Sequence, residues 1–94
     1  MPAPLVSIIM SVYNGELYLE ESVYSILNQT YKNFEFIIIN DGSTDNSLEI
    51  INKYQMQDDR IIVITRSNKG LPHSLNEGIK KAKGKYIARM DSDD

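Results

Sequence analysis

The chain alternates between two kinds of apolar segment. Val6 to Val12 (VSIIMSV), Phe34 to Ile39 (FEFIII), Ile61 to Ile64 (IIVI) and Tyr86 to Met90 (YIARM) are short runs, most of them rich in branched residues. Their length and composition are those of buried strands. The first three are nearly unbroken rather than alternating, as expected when both faces of a sheet are covered. Between the runs the apolar spacing widens to a helical period. Leu19, Val23, Ile26, Leu27 and Tyr31 share one helix face, with Glu20 and Glu21 near the N-terminus, where the dipole favours carboxylates. Ser43-Thr44-Asp45-Asn46 offers caps ahead of Leu48, Ile51 and Tyr54. Pro72 suits the first turn of a third helix, on which Leu71, Leu75, Ile79 and Ala82 face one way, and Gly84 suits a left-handed C′ position. The order β-α-β-α-β-α-β predicts an α/β fold: a parallel sheet with right-handed crossovers and helices on both faces.

Size and charge narrow the classes. The 94 residues suffice for one core, so 1–94 reads as a single unit without linker or repeat. A net charge of −3 argues against a nucleic-acid platform. The absence of cysteine removes disulfides, Cys-based zinc sites and a thiol nucleophile. No apolar run approaches the ~18 residues of a membrane span, and no signal peptide opens the chain. Met90-Asp91-Ser92-Asp93-Asp94 places acids directly after an apolar strand, which is expected to continue into a longer protein.

In open α/β sheets ligands bind beyond the carboxyl ends of the strands. The residues there are Tyr13-Asn14-Gly15, Asn40-Asp41-Gly42-Ser43-Thr44-Asp45, Thr65-Arg66-Ser67-Asn68-Lys69-Gly70 and Asp91-Ser92-Asp93-Asp94. Asp91 and Asp93, two apart, offer hard oxygen ligands for Mg2+ or Mn2+; three acids in four residues otherwise repel one another. Asp41 can accept a ring N–H or shape an Asx turn. Tyr13 can stack on a planar base or pack inward. Arg66 can meet a phosphate or a base carbonyl, or stand as a surface cation. Asp45 reads as a helix cap and His73 as a partly exposed surface residue. Gly70 and Gly78 can permit close backbone approach. Lys80, Lys81 and Lys83 read as cations favoured by a helix C-terminus rather than as a membrane patch.

Missing motifs exclude further classes. There is no G-x-G-x-x-G, no G-x-x-x-x-G-K-[ST] and no G-x-S-x-G. A receiver-like signalling module with a metal-bound aspartate, the alternative reading, needs carboxylates after the first strand and an acceptor Asp after the third. Tyr13-Asn14 and Thr65-Arg66 stand there instead.

VSIIMSVYN at 6–14, SILNQTY at 25–31, NDGSTD at 40–45, Asn68-Lys69-Gly70, Asn76-Glu77-Gly78, AKGKY at 82–86 and DSDD at 91–94 together resemble the family-2 glycosyltransferases in order and spacing. The resemblance covers almost the whole chain. It implies a Rossmann-like GT-A sandwich, here its nucleotide-binding half, and inverting transfer of a sugar from a nucleotide-diphospho-sugar, usually of uridine, to an acceptor hydroxyl. By the same resemblance Tyr13 stacks on the base and Asp41 bonds its ring N–H. Asn14 and Arg66 join the nucleotide site, Asp93 is the principal ligand of a DXD metal (Mn2+ or Mg2+), and Asp91 is its partner near ribose or metal. Many members carry Asp where Asn40 stands here. The base that deprotonates the acceptor is expected beyond Asp94, so the segment alone is expected to be inactive. The expected partners are the sugar donor and a saccharide or lipid-linked acceptor in polysaccharide biosynthesis, with no nucleic acid. Self-association through an exposed fourth strand is also expected. The implied location is the cytoplasm, including the cytoplasmic face of a membrane.

Overall fold

The computed structural model describes residues 4–29 and 31–91. Seven elements follow in the expected alternation: β1 (Val6–Val12), α1 (Glu16–Leu27), β2 (Phe34–Asp41), α2 (Ser47–Gln57), β3 (Ile61–Arg66), α3 (Leu71–Lys81) and β4 (Tyr86–Asp91). All strand pairs are parallel and the order is β3-β2-β1-β4. The chain therefore runs outward from β1 to β3, then returns across the sheet to lay β4 on the other side of β1. With crossovers of one hand, that reversal sends α3 to the face opposite α1 and α2.

The packing matches. Strand residues alternate between faces. Ile8, Met10 and Val12 of β1 and Phe34, Phe36 and Ile38 of β2 meet Leu19, Val23 and Ile26 of α1 and Ile51 of α2. Ile9, Ile37 and Ile39 point the other way, toward Leu75 of α3 and Ala82. Every residue of β2 is buried, which explains its unbroken apolar run.

Several sequence expectations change. β2, β3 and β4 run on through Asp41, Arg66 and Asp91, so these polar residues end the strands rather than follow them. Tyr31 lies outside α1 and is exposed, because the helix stops at Leu27. On α3 the buried positions are Ser74 and Gly78, whereas Leu71 and Ile79 are exposed. The helix backbone lies so close to the sheet that a Cβ on Gly78 would sit 2.5 Å from Ile9 Cγ2. Ser74 and Gly78 therefore form the closest part of its inner face, with Leu75 packing beside them. Lys83 lies just past this helix. Gly84 has no left-handed backbone. It is required by proximity instead, since its Cβ would fall 2.6 Å from the Ser7 amide nitrogen.

Candidate functional site

Parallel pairing brings the carboxyl ends of all four strands to one rim. Val12 lies opposite Asn40, Asp41 opposite Arg66, and Ser11 opposite Asp91. The strand order reverses beside β1, so the ligand position expected of such sheets lies between the ends of β1 and β4. Tyr13 stands at this place, 54% exposed, with its ring available to a planar ligand. Asp91 ends β4 on the neighbouring strand. Asp93 lies outside the described residues. Among those residues no three His, Cys, Asp or Glu side chains gather as a metal-binding group.

The loops of the rim are tied to one another in two sets. In the first, Asn14 adopts a left-handed backbone (φ 51°), a conformation Asn tolerates better than most residues. Its amide donates to Ser43 Oγ, and its Oδ1 accepts the Thr44 amide at 2.7 Å. Ser47 Oγ accepts the Gly15 amide, and Asp45 accepts both the Glu16 and Ser47 amides. Asp45 thus caps the starts of α1 and α2 together. Burial pushes its pKa up, but the hydrogen bonds from Ser47 and Glu16 outweigh this, leaving it below the ordinary value. The capping reading of Asp45 holds, with a reach across the loops that spacing did not predict. The first-turn amides of α1 at Gly15 and Glu16, a usual seat for phosphate, are thereby occupied.

The second set centres on Asp41. Its carboxylate is 3% exposed. Oδ1 accepts the Lys69 amide at 2.8 Å and Oδ2 the Gly70 amide at 2.9 Å. Asn68 Nδ2 donates to the Asp41 carbonyl at 3.0 Å and lies 3.4 Å from Oδ2. Arg66 Nη2 stands 3.3 Å from Oδ1. Gly42, at φ 74°, lets the chain turn immediately after Asp41; a Cβ there would lie 2.5 Å from the Asn68 amide nitrogen. Gly70 also has a left-handed backbone.

Sequence reasoning located Tyr13, Asn14, Asp41, Arg66 and Asp91 on one rim, and the structure brings their positions together. It gives Arg66 a different setting from a surface cation: the guanidinium is nine-tenths buried, donating to Glu77 and Ser74 of α3. Asn40 is buried and accepts the Ser43 amide. A neutral amide suits that position, because an ionised carboxylate there would have to be desolvated. The parts missed from sequence were Ser43, Ser47, Ser74 and Glu77. Ser43 and Glu77 stood within the quoted NDGSTD and Asn76-Glu77-Gly78 motifs without a role assigned to them, and the Ser74 and Gly78 pair at helical spacing marks the inner face of α3. His73 is exposed, as expected.

The geometry has counterparts in known proteins. The family described as Glycosyl transferase family 2 matches residues 7–94. A glycosyltransferase of Haemophilus influenzae is 50% identical over 95 residues; the match covers all of this chain and 38% of the relative. The crystal structure of S. aureus TarS 1–349 in complex with UDP-GlcNAc superposes with a TM-score of 0.87 at 32% identity, over 95% of this chain and 26% of that one. Mannosyltransferase PcManGT from Pyrobaculum calidifontis, in complex with GDP-Man and Mn2+, has a TM-score of 0.88 at 22% identity, over 99% of this chain and 28% of that one. The chain therefore spans well under half the length of the relatives it matches.

Proposed function

Since the chain belongs to glycosyl transferase family 2 and has the GT-A fold, we propose that its carboxyl rim holds the nucleotide diphosphate of a sugar donor, uridine diphosphate in particular. The carrying observation is the convergence, at the β1–β4 reversal, of an exposed aromatic ring and the acid-bearing ends of β2 and β4. Tyr13 stacks on the base. Asp41 accepts the ring N–H once the Asn68 amide, its longest contact, gives way. Asn14 and Arg66 shape the walls around it. The TarS structure, which holds UDP-GlcNAc on the same fold, supports this choice of ligand.

Asp91 and Asp93 are hard oxygen donors of the kind Mn2+ or Mg2+ prefers, so the residues fit such an ion. Bound there, it would supply charge neutralisation for the departing diphosphate. In the whole protein the reaction is hexosyl transfer with inversion onto an acceptor hydroxyl, saccharide or lipid-linked, in polysaccharide synthesis. The base lies beyond Asp94, and this segment alone is inactive. No helix among the described residues is long and apolar enough to cross a membrane; action at the cytoplasmic face of one is part of the proposal. The bare β4 edge, with Tyr86, Ile87 and Met90 exposed, favours self-association of the segment.

The test is a thermal melt with uridine diphosphate, with and without Mn2+. At about 100-fold excess over Kd the ligand adds about 2.7 kcal/mol, readily seen as a raised Tm. The rise should require Mn2+ and vanish in Asp93→Ala. An equal rise in chelator would refute the metal role, and no rise with any nucleoside diphosphate would refute the nucleotide site.

A further inference from the structure

Arg66 sits between two carboxylates of different elements. Nη2 faces Asp41 Oδ1 at 3.3 Å, and Nη1 donates to Glu77 Oε1 at 2.8 Å. Nη2 also donates to Ser74 Oγ, while the buried Nε–H has no partner among the described residues. Buried donors are nearly always paired, so the unmet Nε–H leaves the two Nη groups to fix the guanidinium. Its position follows from the two charges and from the serine on α3. A phosphate on its Nη atoms would have to compete with the carboxylates already paired there. What Arg66 does face is Asp41, the residue that holds the Lys69 and Gly70 amides.

We propose that Glu77 and Arg66 are positioning residues of the nucleotide site. Glu77 and Ser74 anchor Arg66 to α3; Arg66 holds the Asp41 carboxylate; Asp41 holds Asn68-Lys69-Gly70 in the shape that receives the nucleoside diphosphate. The chain of contacts makes donor affinity depend on a helix residue that does not touch the donor. It deepens the nucleotide reading and rests on it for the ligand. A fork geometry is needed, since one guanidinium must reach both carboxylates, and a lysine ammonium cannot present two parallel N–H edges.

The test combines amide hydrogen exchange with titration of uridine diphosphate in Mn2+, on this chain and on Glu77→Gln, Arg66→Lys and Arg66→Met. Glu77→Gln is the central variant, because its side chain reaches the surface and keeps its size. Its Ile37 and Ile38 amides should exchange at the parent rate. Its Lys69 and Gly70 amides should exchange faster, and affinity should fall, each by about 3- to 10-fold. Arg66→Met should exceed this, and Arg66→Lys should restore less than half of the loss. Unchanged Lys69 and Gly70 exchange in folded Glu77→Gln would overturn the proposal. So would faster exchange with unchanged affinity, or full rescue by lysine. If Arg66→Met does not fold, Glu77→Gln still decides. A parent chain that binds no uridine diphosphate would instead remove the nucleotide reading, while the exchange rates would still decide whether Glu77 positions the loop.

Discussion

The two ends of the sheet use the same device to different effect. At the carboxyl rim, buried Asp41 accepts the Lys69 and Gly70 amides, and Gly42 admits the backbone of Asn68. At the amino rim, buried Glu35 accepts the Ser7 hydroxyl and the Lys83 amide, and Gly84 admits the backbone of Ser7. Each rim thus fastens a loop to a strand through a carboxylate and a glycine. The difference lies in what surrounds them. Glu35 has Ser7 and backbone beside it, and Gly84 donates onward to Ser7 Oγ, which closes the network. Asp41 has a guanidinium, a further carboxylate and an exposed tyrosine nearby on the same rim. A closed network serves stability. One that adds charge and leaves an aromatic ring in solvent suits the nucleotide role proposed for this rim.

Substitutions should separate the two. The largest loss is expected for Glu35→Ala, which leaves a buried hydroxyl and a part-buried amide unmatched: about 3 kcal/mol in urea unfolding. Nucleotide affinity of the folded fraction should stay at the parent value, and a matching loss of affinity would erase the distinction between the rims. Arg60→Ala comes next. Arg60 pairs with Asp58, reaches the Leu27 and Lys32 carbonyls, and lies 4.3 Å from the Phe34 ring centroid. Its removal should cost about 2 kcal/mol by the same assay. Asp41→Asn should do the reverse, keeping one acceptor oxygen and the side-chain size. About 1 kcal/mol of stability is expected to go, against a tenfold or greater loss of uridine diphosphate affinity in calorimetry.

Acid should loosen both rims in one window. Arg60 holds the Asp58 carboxyl below the usual value despite the opposing effect of burial. Asp45 at the other rim is also depressed, its hydrogen bonds outweighing burial. A lowered folded-state pKa means stability present above the unfolded value of 3.8 and lost as pH falls through the folded one. Urea midpoints should therefore be flat near neutrality and decline below about pH 4. In Arg60→Ala the decline should be shallower, because Asp58 then keeps only the residue-60 amide and the Lys32 charge to favour its carboxylate, beside the Asp45 contribution. The smallest effect belongs to Lys53→Ala. Its pair with Glu20 is more than half exposed on both sides, and Tm should not move measurably.

What the chain order alone determined was the fold and the rim. Strands and helices follow from local periodicity, and a parallel βα alternation forces every strand to end on the same side, so Tyr13, Asp41, Arg66 and Asp91 had to gather there. The strand order also mattered, and only the assembled sheet shows that β4 lies beside β1 and puts the reversal next to Tyr13. The partners of the polar groups were beyond local reading as well. Asp41 meets Lys69 and Gly70 across 28 and 29 residues, and Asn14 meets Thr44 across 30. A carboxylate carries no mark of which distant amide it will accept. Gly78 and Gly84 make the same point from sterics. Gly84 looked like a choice of backbone conformation and Gly78 like a place of close approach to an unnamed neighbour, yet each is required by a particular group that only folding brings within 3 Å of the missing Cβ. Periodicity is a property of neighbours in the chain; hydrogen-bond partners and close approaches are properties of neighbours in space.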